Sequence, residues 1–389
     1  MQIKKIGARS VKDSRGERTI QVIVWTSKGK FVTSAPAGKS KGKFEVRSYA
    51  HSLEGDIKHI NNLDVEKINE LGIDSFCDLK HIEKMVLGDI GGNSLFALEA
   101  CILKGLAREN GVELWEFLGG HGKKIRPVGN AIGGGLHSKG VKGIRPDFQE
   151  FLFIGNGRSF KESVKINERA YGLCRKFLKS WGRNDEGAWE TGLSNHQALA
   201  VMKNVQAIMK KKGFKVDIGL DIAASSFYKG GRYNYKNPVG EKSEKEQIEY
   251  LGELIEGYGL VYVEDALDET DFAGFRKLRG KSGKCLIVGD DLTVTNLSRV
   301  KRAVKLKAVS GVIVKPNQIG SLLEVKEVVD FCMSHGIKTV ISHRSGETMD
   351  DTIADLAVGF SVDFIKTGIY GSVRRVKLKR LVGIERELR

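Results

Sequence analysis

Long apolar runs are absent. No stretch approaches the roughly 18–20 residues needed to span a bilayer, and the opening MQIKKIGARSVKD carries charge but no apolar core, so neither a membrane span nor a secretory signal is expected. A cytoplasmic location follows as the default. Cysteine is sparse: Cys77, Cys101, Cys174, Cys285 and Cys332 lie far apart with no CxxC spacing. That excludes a zinc ribbon or a disulfide framework and reads as reduced, partly buried thiols. Also missing are a helix-turn-helix, a zinc finger and a basic face interleaved with aromatics. The net charge of +16 is spread along the chain among acids, and the longest pure run, Lys210 to Lys212, closes a predicted helix where cations suit the dipole. Nucleic acid is therefore not the expected partner, and the charge is read as background or as attraction of anionic metabolites.

What is present is 389 residues, too many for one small core. Up to about residue 125, β-forming runs (QIKKIGARSVKD, RTIQVIVWTSKG, KFVTSAPAG) precede helical patterns that end with NSLFALEACILKGLAREN. Strands followed by helices predict an α+β domain. The last helix is expected to open at an Asn93 or Ser94 cap and to close before Gly111. Beyond it come two β-like pieces, RPVGNAIGGG and FQEFLFIG, and two long helical patterns. Six short Val/Ile-rich runs follow, each leading into a helix-like stretch: KVDIGLD, LVYVED, CLIVGD, GVIVK, KTVISH and FIKTG. Such runs without clean alternation fit parallel strands buried on both faces.

The runs end in Asp221, Glu264, Asp290, Lys315, His343 and Lys366, spaced after the first interval by roughly one strand, one helix and two loops. A single polar residue after a strand is usually a helix cap. Six in phase, in the order acid, acid, acid, Lys, His, Lys, do not behave as caps, because lysine caps poorly. In a barrel of alternating strands and helices those ends converge on one mouth. Asp221, Glu264 and Asp290 would then point at one spot, and three hard oxygen donors without a nearby cysteine predict Mg²⁺. The ion would also relieve the adjacent acids Asp290 and Asp291. A lysine beside cations can serve as a base, which predicts proton abstraction next to a carboxylate. Arg344 and Ser345, read as opening the helix TMDDTIADLAVGF, predict an anion site, with Ser345 equally readable as a helix cap.

VISHRSGETMDDTIADLAVGF closely resembles the signature segment of the enolase family. VGDDLTVTN, KPNQIGSL, VEDALDETDF, IGLD with SSFYKGGRY, and the early VKDSRGERTIQVIV resemble its other motifs, in order and nearly end to end. Enolase-type sites are themselves a standing example of a lysine base working with Mg²⁺. The resemblance implies an α/β fold with an N-terminal α+β capping domain (1–125) on a barrel (126–389) of order ββαα(βα)₆. It implies a hydro-lyase of glycolysis that dehydrates 2-phosphoglycerate to phosphoenolpyruvate, and a homodimer or higher homo-oligomer. Carried onto this sequence, Asp221, Glu264 and Asp290 hold one Mg²⁺, and Ser40 serves a second, substrate-dependent Mg²⁺. Lys315 is the base, and Lys366 assists at the substrate carboxylate. Glu186 is the acid and Glu150 its neighbouring carboxylate, the two sharing a proton. His137 and His343 lie on mobile or mouth loops, and Arg344 and Ser345 grip phosphate.

The sequence departs from the family pattern in three places. Lys39 and Lys41 flank Ser40, ETGLSN (Glu190–Asn195) replaces a proline-asparagine turn, and GIYGSVRRVKLKR follows Lys366. The loop changes leave open a relative acting on a different carboxylate, and the basic surface leaves open a non-catalytic binding protein.

Overall fold

The computed structural model describes residues 1–39, 42–178 and 182–388. The N-terminal part is an antiparallel sheet, β1 (Ile3–Lys12), β2 (Arg18–Thr26) and β3 (Gly29–Ser34), in sequential order. Against it pack α1 (Leu53–Asn61), α2 (Val65–Glu70) and, after α3 (Leu79–Val86), the long α4 (Gly92–Glu109); α3 and a single turn, α5 (Leu114–Phe117), pack on α4. In β2, Ile20, Val22 and Val24 are buried, the alternation that puts one face of a strand against helices.

α4 begins earlier than the expected cap. Gly91, in extended backbone, precedes it, because Asn93 and Ser94 are used elsewhere. Ser94 Oγ donates to Asp56 (2.6 Å), and Asn93 Oδ1 accepts from Asn317 Nδ2 (2.8 Å). Tertiary contacts have taken the side chains that local reasoning assigned to capping.

The rest closes on itself. β4 (Arg126–Gly133) and β5 (Glu150–Gly155) are followed by α6 (Phe160–Cys174), the short β6 (Trp189–Glu190) and α7 (Asn195–Lys211). β7 (Val216–Asp221) leads to a small antiparallel sheet, β8 (Tyr228–Lys229), β9 (Arg232–Lys236) and β10 (Val239–Lys242). Then come α8 (Glu244–Tyr258), β11 (Tyr262–Glu264), α9 (Phe272–Lys281), β12 (Leu286–Gly289), α10 (Leu297–Lys305) and β13 (Gly311–Val314). The chain ends with α11 (Pro316–Ile319), α12 (Leu322–Ser334), β14 (Lys338–Ser342), α13 (Thr352–Gly359), β15 (Phe364–Lys366) and α14 (Ser372–Glu387). The strand order is β15-β14-β13-β12-β11-β7-β5-β4, and β15 pairs with β4 to close an eight-stranded barrel. β5 runs antiparallel to both neighbours, and the other barrel pairings are parallel. This is the ββαα(βα)₆ order.

Period-2 alternation explains the mouth. Tyr262, Val288, Ile313, Val340 and Phe364 form one buried cluster with Val128, Leu152 and Ile154. Two residues on, and so on the same strand face, stand Glu264, Asp290, Lys315, Ser342 and Lys366. An apolar layer thus carries a polar layer above it. Among the described residues no helix is long and apolar enough to cross a membrane.

Candidate active site

Register places the acids side by side. Glu150 pairs with Asp221, Asp221 with Glu264, and Glu264 with Val288, two residues before Asp290. Because β5 runs the other way, its first residue lies at the same end as the last residue of β7. Lys366 Nζ reaches Asp221 Oδ2 at 2.8 Å and both Glu264 oxygens at 2.9 Å, with Glu150 Oε2 at 3.4 Å. Lys315 is ion-paired with Asp290. Burial would depress both ammonium groups. The acids win: Asp290 raises Lys315, and Asp221, Glu150 and Glu264 hold Lys366 well above its usual range.

The opposite wall is built from loops. His137, in a single turn over Gly135–His137, sets Nδ1 3.2 Å from Glu186 Oε1. Glu186 Oε2 accepts from Asn130 Nδ2 at 3.1 Å. Ligand atoms of His137, Glu150 and Glu186 fall within 4.8 Å of one another. Burial alone would raise Glu186, but the facing imidazolium of His137 holds it well below its usual range and is itself raised by Glu186. Glu150 is pushed well above by burial and by the Glu186 charge. The two carboxyls are thus driven in opposite directions.

His343 lies one residue beyond the in-phase position, which is Ser342, the partner of Lys366 in the register. Arg374 Nη1 donates to His343 Nδ1 (2.6 Å). A guanidinium only donates, so His343 is neutral with its hydrogen on Nε2. Burial and the Arg374 charge hold its pKa well below the ordinary value.

Arg344 and Ser345 are at the mouth, but not at a helix start. α13 begins only at Thr352, so the expected helix-terminal anion site is not there and Ser345 is no cap. The intervening chain is used for docking. Ala37 and Gly346 exchange backbone hydrogen bonds of 2.7 and 2.8 Å, and a Cβ at Gly346 would fall 2.9 Å from Ala37 O. Arg344 is paired with Glu45 (2.9 Å), and Ser345 Oγ accepts from Lys39 N (2.8 Å) and Arg15 Nη1 (3.1 Å). Ser40 and Lys41 lie outside the described residues. Lys39 Nζ donates to Leu136 O at 2.9 Å and lies 3.6 Å from Asp185 Oδ2.

Glu45, His137, Glu150, Glu186, Asp221, Asp290, Lys315, His343, Arg344, Ser345 and Lys366 all line one cavity, with about 60 Å³ of open space. Sequence reasoning missed four further groups. Gln149 lines the cavity, Glu45 pairs with Arg344, Asp265 receives the backbone N–H groups of Asp290 and Asp291 at 2.8 Å, and Arg374 braces His343. Asp265 was visible as the second acid of VED. Arg374 had no signal beyond standing in an atypical segment.

Comparison with known proteins decides the family. Residues 125–389 match the model described as "Enolase, C-terminal TIM barrel domain", and residues 3–118 match "Enolase, N-terminal domain". The proteins named enolase from Picrophilus torridus and Thermoplasma acidophilum are each 37% identical to it. They cover 100% and 99% of this chain, and the chain covers 99% and 98% of theirs. The enolase of Pyrobaculum aerophilum is also 37% identical, over 99% of this chain and 96% of its own. The chain belongs to the enolase family.

As an enolase-family site, the acid set can be tested against a divalent ion. The donors are all hard carboxylates, and two ammonium groups do not fully compensate them. Burial and Asp221 push Glu264 up to about 8. Burial and Asp290 push Asp291 up to about 7. A group of acids still this short of positive charge fits Mg²⁺. Oxygens of Asp265, Asp290 and Asp291 also fall within 4.8 Å of one another, while Asp221 and Glu264 are bridged by Lys366.

Proposed function

We propose that this chain performs the family's hydro-lyase reaction, the reversible dehydration of 2-phosphoglycerate to phosphoenolpyruvate, in a Mg²⁺-dependent manner within glycolysis or gluconeogenesis. One observation carries the reading. In the closed order of eight strands, β13, which Lys315 follows, lies four places from β5, which Glu150 opens, so the lysine and the carboxyl face each other across one cavity.

Asp221, Glu264 and Asp290 would hold Mg²⁺. Bound there, the ion supplies positive charge that offsets the acids and stabilises negative charge developing on the substrate carboxylate. With Asp290 engaged by the ion, Lys315 would lose the acid that raises it, and its neutral Nζ would take the C2 proton, while Lys366 Nζ faces the carboxylate. Glu186 protonates the departing C3 hydroxyl. Glu150, the carboxyl that burial and the Glu186 charge push up, lies beside it as the neighbour with which it shares a proton. Arg344 and Ser345 take the phosphate, with His343 fixed beside them. Ser40 serves a second Mg²⁺ that enters with substrate. A capping domain over 1–125 and a barrel over 126–389, a homodimer or larger homo-oligomer, and a cytoplasmic location complete the reading.

The test follows phosphoenolpyruvate by its absorbance, with Mg²⁺ and with EDTA, for the native chain and Lys315→Ala. Activity that needs Mg²⁺ and falls at least about 10³-fold in the variant is expected. A folded native chain that forms no product with Mg²⁺ present overturns the reading. It would then favour another carboxylate substrate, for which Lys39 at the mouth is the specific observation.

A further inference from the structure

The loop that carries Glu186 meets the atypical segment after Lys366: a Cβ at Gly187 would touch Tyr370 O. Arg183 lies between them. Its guanidinium carbon stands 4.2 Å from the Trp189 ring centroid and 3.8 Å from that of Tyr370. Tyr171 stacks on Trp189 (5.1 Å, 15°) and on Tyr370 (6.1 Å, 18°). Arg183 Nε donates to Tyr171 Oη at 2.8 Å, and Tyr171 Oη donates onward to Gly187 O at 2.8 Å. Burial pushes the Tyr171 phenol up to about 12, so it keeps the proton it donates.

The stack sits at the base of a tight loop. Arg183 and Trp189 form an antiparallel bridge, and Asn184 Oδ1 accepts from Glu186 N (3.1 Å) and Ala188 N (2.9 Å). Glu186 stands at the tip. Gly187 has φ of 82°, and a Cβ there would fall 2.7 Å from Tyr370 O. The loop is thus pressed onto the segment that follows Lys366. Nothing in the reaction calls for an aromatic-cation stack here, and Arg183 does not line the active-site cavity. Its contacts run to Trp189, at the other end of the Glu186 loop, and to Tyr370, in the segment that follows Lys366.

We propose that Arg183 is a positioning residue for Glu186: clamped between Trp189 and Tyr370 and tied through Tyr171 to Gly187, it sets where the acid stands against the C3 hydroxyl. The inference rests on the proposed reaction. It assigns Arg183 to the second half of that reaction only. Lys315, just past β13, breaks the C2–H bond without reference to the loop, leaving the electron pair on the substrate and the proton on Nζ. In D₂O that proton exchanges, and return of a deuteron to C2 reports the first half. Loss of the C3–O bond, with the proton from Glu186 leaving as water, reports the second.

The experiment measures kcat, KM and the ratio of C2 deuterium exchange to phosphoenolpyruvate formation for the native chain, Arg183→Met, Arg183→Lys and Tyr171→Phe, each checked for folding by its melting temperature. Arg175→Met, whose guanidinium lies at the edge of the stack 5.9 Å from Trp189, is the control expected to match native. Arg183→Met is expected to lower kcat about tenfold to a hundredfold, as small misplacements of a reacting group do. KM should stay within about twofold and the exchange ratio should rise. Arg183→Lys, which keeps the charge but not the planar stack, should recover part of the loss, and Tyr171→Phe should fall between. A folded Arg183→Met with native kcat overturns the proposal, as does one in which exchange and dehydration fall together. A native chain that makes no phosphoenolpyruvate removes the reaction itself and this proposal with it.

Discussion

The two walls of the cavity are made differently. On one wall Asp221, Glu264, Asp290, Lys315 and Lys366 project from strand ends or the residue just past them, above a layer of apolar side chains on the same strand faces. On the other, His137 and Glu186 sit in turns, and Glu150 opens the reversed strand β5. The strand wall is positioned by backbone register, which a side-chain change hardly moves. The loop wall is positioned by side chains: Asn130 on Glu186, Arg374 on His343, and the Arg183 stack under the loop. Strand-borne groups should therefore fail by losing their own chemistry, and loop-borne groups also by losing their neighbours.

The sharpest test on the strand wall is Lys366→Met. It leaves Asp221, Glu264 and Glu150 buried without the ammonium that bridges them. Breaking such a buried set costs about 3–5 kcal/mol, so a melting temperature lowered by several degrees is expected. Added Mg²⁺ should restore part of that stability while activity stays lost; a variant as stable as native without Mg²⁺ would show that the strand wall does not depend on this compensation.

Glu186→Gln tests the loop wall. It keeps the size and the Asn130 contact but cannot deliver a proton. The turnover should drop about 10²–10³-fold with the melting temperature little changed, and C2 exchange should persist. Loss of exchange together with dehydration would merge the two walls into one unit.

The smallest effect is in pH. Glu186 holds the His137 imidazole above its ordinary pKa, against the pull of burial. The folded state binds that proton more tightly than the unfolded chain. The contribution is full below the unfolded value and is lost as pH rises through the folded one. The native melting temperature should thus fall as pH climbs above about 6.5, and His137→Asn should flatten that slope; identical profiles would place the charge of the loop wall elsewhere.

The strand wall was legible because its residues recur at a chain spacing set by one strand and one helix. Even there, the in-phase residue of β14 proved to be Ser342, with His343 one step further along. The loop wall had no such period. Glu150 sits at the start of a strand, and only the reversal of β5 turns that start into a mouth position. Glu186 and His137 were reachable through likeness to a family alone. The misplaced cap at Asn93 and Ser94, and the helix expected from Thr348 but begun only at Thr352, failed for a shared reason. Side chains and backbone near the seam are engaged by partners more than 30 residues away, such as Asp56, Asn317 and Ala37.

By itself the sequence determined the alternation of strands and helices, the strand-end chemistry and the family, since these are written in local periodicity and in contiguous motifs. The tertiary structure alone decided which carboxyl is pushed up and which is held down, which histidine is neutral, and that Arg183, Tyr171, Trp189 and Tyr370 form one brace. Those outcomes depend on burial and on charges brought within a few ångströms by closure of the barrel, and no spacing along the chain encodes them.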